Sequence, residues 1–96
     1  MLAAVMYNVT SGFASGTDKL DFSAAGSVTN YAENLVAAAN VSAFATAADT
    51  ALNGTVQYYF GVVGSDGYLA TDTDGDGITS IVKLAGVTDM AFSDII

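Results

Sequence analysis

The chain has 96 residues, 52% of them hydrophobic, and carries ten Asp and Glu against two lysines, Lys19 and Lys83, for a formal net charge of −8. That length holds one small domain, and that charge lacks the basic footprint that nucleic acids and anionic lipid surfaces require. Cysteine and histidine are both absent, which removes thiolate nucleophiles, disulfides, imidazole-based triads and the common zinc sites, so the chain is expected not to be an enzyme.

At the N-terminus, residues 2–7 are apolar but too short for a secretion leader and have no basic residue before them. Gly, Asn, Asp, Thr and Ser interrupt every later apolar run well before the ~18 residues of a membrane span, so membrane insertion is not expected. Seventeen alanines dilute the hydrophobic content, which predicts a thin core. Residues 7–17, rich in Gly, Ser and Thr, read as loop. In residues 18–23 Leu20 and Phe22 alternate with Lys19, Asp21 and Ser23, the period-2 pattern of a half-buried strand.

Asn30 followed by Glu33 is a helix-start signal. Tyr31, Leu35 and Ala38 or Ala39, then Phe44, Ala47, Ala48, Ala51 and Leu52, recur at helical spacing. Residues 31–53 therefore read as a helical segment in two pieces, divided near Asn40 to Ser42 and stopped at Gly54. Three strands follow, over residues 55–63, 68–71 and 78–84, with turns at Gly64 to Gly67 and Asp72 to Gly77. The expected fold is α+β, a mainly antiparallel sheet of meander or sandwich-like form with one helical segment, built as a single domain over residues 1–96.

The second of those turns is the candidate site. Asp72, Asp74 and Asp76, followed by Gly77, place carboxylates at alternate positions of a tight loop, where they can converge on calcium, a cation that takes six to eight hard oxygens. Counting Asp72 as position 1 puts Lys83 at position 12, where an EF-hand needs a bidentate Glu, so this is not an EF-hand. A solvated Asp-Gly turn that binds nothing is the alternative. Asp18 and Asp21 read as solvated strand residues, with an added part in a cation site or pairing with Lys19 as the alternative. Tyr58 and Tyr59 point to opposite strand faces, which leaves at most half of an aromatic sugar platform. Gly61, Gly64 and Gly67 lack the strand-to-helix setting of a phosphate loop.

Several segments together carry a likeness: residues 17–25 (TDKLDFSAA), 56–63 (VQYYFGVV), 67–77 (GYLATDTDGDG) and 81–89 (IVKLAGVTD), followed by 92–96 (FSDII). Together they resemble the C-terminal modules of RTX-type and S-layer-like proteins exported by bacterial type I secretion, over about residues 17–96. The glycine-rich nonapeptide repeats of that family are missing, so the chain looks like the cap beyond the repeats of a larger protein. The resemblance implies a secreted or cell-surface location, calcium, and an ABC export complex as partner. It also implies a terminal export signal in Asp94, Ile95 and Ile96, an acidic residue followed by apolar ones, which is expected to act as a recognition tail rather than as part of the core. Self-assembly in a surface layer, through calcium and exposed strand edges, is the rival expectation.

Overall fold

Residues Tyr58 to Val62 are buried without a break, which a strand satisfies only when both of its faces are covered. In the computed structural model, which describes residues 7–10, 13–22, 24–53, 55–72 and 77–96, the elements are β1 (Tyr7–Thr10), β2 (Tyr31–Ala38), α1 (Val41–Ala51), β3 (Tyr58–Val63), β4 (Asp66–Thr71) and β5 (Ser80–Leu84). The strands form one sheet in the order β1-β5-β4-β3-β2. In its centre β3, β4 and β5 pair antiparallel in chain order. Its two outer neighbours, β1 on β5 and β2 on β3, pair in parallel. The domain is thus of the α+β kind, small, with a mixed rather than mainly antiparallel sheet and one helix.

The helical expectation for residues 31–53 holds only in its second half. Asn30 does not cap a helix. Its Oδ1 accepts from the Ser27 N–H at 2.7 Å, its amide donates to the Ala25 carbonyl and the Gln57 Oε1, and its own carbonyl accepts the Gln57 and Tyr58 N–H groups. That last pair of bonds starts the parallel ladder Tyr31↔Tyr58, and the following residues continue it as a strand. Tyr31 and Ala32 pack in the clusters on opposite faces of the sheet, as strand neighbours must. The true cap is Asn40, whose Oδ1 accepts from the Ala43 N–H at 2.8 Å, and α1 ends where the Leu52 N–H closes on the Ala48 carbonyl. β2, α1 and β3 thereby make a βαβ crossover, the connection that parallel neighbours require.

Residues 7–10 form β1, not loop. The expected strand at residues 18–23 reduces to one bridge, Leu20↔Ile95, although Leu20 and Phe22 do turn toward the core while Lys19 and Asp21 stay exposed. The β3-β4 hairpin turns on Gly64 and Ser65 alone, since Val63 pairs with Asp66. Gly64 has φ +65° and no other residue type has positive φ among the described residues, which fits a two-residue turn with glycine first.

Two clusters form the core, one on each sheet face. Tyr59, Tyr68, Ala70 and Ile81 meet Phe44, Ala45, Ala48 and Leu52 of the helical side. Tyr58, Phe60, Val62, Leu69, Val82 and Leu84 meet Val87, Met90 and Ile95, with Phe13, Leu20 and Phe22 at the rim. The helix comes close because its contact face is largely alanine and because Gly61 of β3 leaves room for the Phe44 ring, which also lies 5.7 and 5.6 Å, centroid to centroid, from Tyr59 and Tyr68. A Cβ on Gly61 would stand 2.8 Å from Phe44 Cδ1. Gly61→Ala is therefore expected to cost about 1–3 kcal/mol by overpacking, read from urea denaturation. In a Phe44→Leu background the same change should cost less, the two substitutions being coupled through one contact.

Candidate functional site

The Asp-rich turn is pinned at its base. Thr71 Oγ1 lies 2.6 Å from Ser80 Oγ and 3.2 Å from Thr79 Oγ1, Thr79 donates from both its N–H and its hydroxyl to the Thr71 carbonyl, and the Asp72 N–H donates to the Gln57 carbonyl at 2.8 Å. Asp72 itself is 1% exposed. Asp74 and Asp76 lie outside the described residues. Gly77, at φ +106°, brings the chain back in a conformation that glycine adopts without strain.

A further carboxylate stands beside Gly77. One oxygen of Asp49, on the exposed side of α1, is 3.6 Å from the point that a Cβ on Gly77 would occupy. Sequence reading passes over Asp49, because a lone acid on the polar face of a helix carries no spacing signal; only the packing of α1 beside the turn joins the two. Among the described residues no three potential ligands are gathered at one point. The oxygen chemistry of Asp49 and Asp72 suits a hard cation.

The second candidate, Asp94 to Ile96, is placed differently from expectation. These residues are not a free tail. Asp94 is 1% and Ile95 2% exposed, while Ile96 remains exposed. The reason is an unusually complete set of donors. Asp94 closes a one-turn 3-10 helix (Phe92–Asp94), and its carboxylate accepts from Ser15 Oγ at 2.6 Å, from the Gly16 N–H at 2.8 Å and from the Ala91 N–H at 2.9 Å, with Lys19 Nζ at 3.7 Å. Backbone bonds carry the end of the chain onward: Leu20 N–H to the Asp94 carbonyl, Ile96 N–H to the Leu20 carbonyl and Gly26 N–H to the Ile95 carbonyl. Ile95 then completes the apolar cluster opposite α1.

Among the described residues Asp18 and Asp21 belong to no group of three potential metal ligands. Asp18 accepts from the Ala14 N–H within its own turn, and Asp21 is exposed. Tyr58 and Tyr59 are both buried, and the Tyr58 hydroxyl donates to the Ala24 carbonyl, so neither ring offers a sugar platform. Tyr31, half-buried, donates to Glu33 Oε2 at 2.9 Å. Burial first, then that bond and the negative charges of Glu33, Asp89 and Asp94, hold its hydroxyl far above the ordinary tyrosine range.

Burial alone would push the Asp94 carboxyl up; the hydrogen bonds from Ser15, Ala91 and Gly16 and the charge of Lys19 outweigh it and hold the group below the ordinary range. The sign follows. A depressed folded value stabilises the fold fully above the unfolded value, about 3.9 for Asp, and that contribution is lost as pH falls through the folded value. Melting temperature should therefore drop on acidification below about pH 4, and Asp94→Asn should flatten that part of the curve. Asp94→Ala, which removes the acceptor of three part-buried hydrogen bonds, should cost about 1–3 kcal/mol at neutral pH, mostly through the hydrogen bonds, since Lys19 is exposed enough for water to weaken its share. No protein-family model matches the chain, and no curated protein and no solved structure matches it.

Proposed function

We propose that this chain is the C-terminal secretion-targeting and folding-cap module of a calcium-dependent bacterial protein exported by a type I ABC machinery, without catalytic activity of its own. One observation carries the reading: the acidic-apolar end Asp94 to Ile96 is also the piece that closes the fold. In an unfolded chain those residues are available to a transporter; in the folded domain Asp94 and Ile95 are withdrawn. Recognition would then precede folding, and folding outside the cell would remove the signal from further engagement.

Calcium would act on the same equilibrium by binding the native state. Asp72, Asp74 and Asp76, with Asp49 from α1, are the residues that would hold it, and the Thr71, Thr79 and Ser80 hydroxyls would keep the turn's base in register. The surface-assembly reading has its own support in β2, which ends the sheet and has Glu33 and Asn34 exposed. Glu33 and the net charge of −8 oppose close edge-to-edge pairing of copies, so the export reading is favoured.

Because Ile95 is core, deleting the end would damage stability whatever its role, and export has to be tested with variants that separate the two. Ser15→Ala weakens the Asp94 contacts without touching the terminal residues. Export of a fused passenger should fall with Asp94→Ala and Ile96→Ala and stay near wild type with Ser15→Ala. Export that follows melting temperature across all three variants would sink the signal role. For calcium, millimolar ion should raise the melting temperature over a chelator control at matched ionic strength. The gain should vanish when Asp72, Asp74 and Asp76 are all changed to Asn and shrink with Asp49→Asn; superimposable curves would remove the metal from the proposal.

A further inference from the structure

We infer that residues 13–22 and 91–96 form a two-piece strap that opens and closes as one unit over the sheet face opposite α1, with the Asp94 carboxylate as its latch. The two pieces lie 69 positions apart at their nearest ends, Phe22 and Ala91, yet among the described residues their polar contacts run to each other rather than to a sheet strand. Leu20 N–H reaches the Asp94 carbonyl at 2.7 Å, Ile96 N–H the Leu20 carbonyl at 2.8 Å, Phe22 N–H the Ile96 carbonyl at 3.4 Å, and Lys19 Nζ the Ser93 carbonyl at 3.3 Å. Toward the sheet the strap offers apolar side chains: Ile95 in the cluster, and Phe13, Leu20 and Phe22 against it.

This division of forces makes the strap separable. Hydrogen bonds are directional and tie the two pieces together, whereas apolar contact with the sheet is non-directional and has no preferred point of rupture. If one piece leaves, the other loses its ladder partner, so the two leave together. What remains is self-supporting, because the helix-side cluster of Phe44, Tyr59, Tyr68 and Ile81 uses none of the strap residues and the β3-β4-β5 ladder is internal to the sheet. Asp94 decides the balance. Its carboxylate holds both pieces at once, taking Ser15 Oγ and the Gly16 N–H from one and the Ala91 N–H from the other. Opening would withdraw Ile95, Phe13, Leu20 and Phe22 from the cluster of Tyr58, Phe60, Val62, Leu69, Val82 and Leu84, leaving it covered only in part, by Val87 and Met90. Openings of this kind, smaller than global unfolding, are the ordinary behaviour of segments whose contacts are mostly with one another.

Hydrogen exchange on the purified full chain tests this independently of any export activity. In Asp94→Asn, and to a smaller degree in Ser15→Ala, the amides of Leu20, Gly26 and Ile96 should lose protection by about tenfold or more, while those of Tyr59, Leu69 and Val82 keep theirs. A dye that binds exposed apolar surface should bind more in Asp94→Asn at pH 7 without loss of far-ultraviolet helix signal. Equal loss of protection in both groups of amides, in either variant, would overturn the inference by showing that strap and sheet are one cooperative unit. Unchanged protection at Leu20, Gly26 and Ile96 in both variants would overturn it by showing that Asp94 is no latch.

Discussion

Burial of β3 on both faces is the constraint from which the rest of the fold follows. Tyr58 and Phe60 face one way and Tyr59 the other, and all three are buried. A sheet with one wet face would tolerate polar residues at every second position; this strand has none from Tyr58 to Val63, so each face requires its own cover. With so much of its apolar content in alanine, the chain solves the two sides differently. On one, α1 lies close to the sheet over Ala45, Ala48 and Gly61, and a single large ring, Phe44, fills the space between two tyrosines. On the other there is no α-helix among the described residues, and largely irregular segments from near the two ends of the chain supply Phe13, Leu20, Phe22, Met90 and Ile95.

Irregular cover is costly, because its backbone groups cannot satisfy one another as a helix does. Carboxylates meet part of that need. Asp94 accepts the N–H of Gly16, and Asp66 accepts the N–H of Gly86 at 2.8 Å; both glycines have positive φ. Each carboxylate also faces one of the two lysines, Lys19 at 3.7 Å and Lys83 at 3.6 Å. An acidic chain with two cations thus places both of them beside acids that hold turns. In each case the amide bonds fix the geometry and the lysine offsets the charge, so that the small positive complement of the chain serves its loops rather than its surface.

The remaining acids leave the molecule strongly negative. Some are simply solvated, as at Asp21 and Asp89. Asp72 and Asp49 are different, since Asp72 is buried just after β4 and Asp49 reaches toward Gly77 from α1. On the proposed reading this is where a divalent cation would relieve the repulsion and favour the folded state, while the end of the chain, once bound by the fold, would cease to be a signal. Both effects draw on one equilibrium, between an extended chain with its end available and a closed domain with its end in the core.

Residue types and their alternation by themselves determined the three central strands, the inward turn of Leu20 and Phe22, the helical half around Phe44 and Ala48, and the exclusion of thiol and imidazole chemistry. These are local properties: a period of two or of 3.6, or a residue that is absent. Tertiary structure decided the rest. Tyr31 to Ala38 is a strand because the Asn30 carbonyl and the β3 edge offer it a parallel ladder, which overrides the helix preference of its alanines, propensity being the weaker force. Asp49 comes near Gly77 only because α1 crosses over the sheet. Asp94 and Ile95 look like an unattached end in sequence and are core in the fold, since their partners, Ser15, Gly16 and Leu20, stand more than seventy residues earlier, and no pattern within a short window of sequence can register a hydrogen bond across that distance.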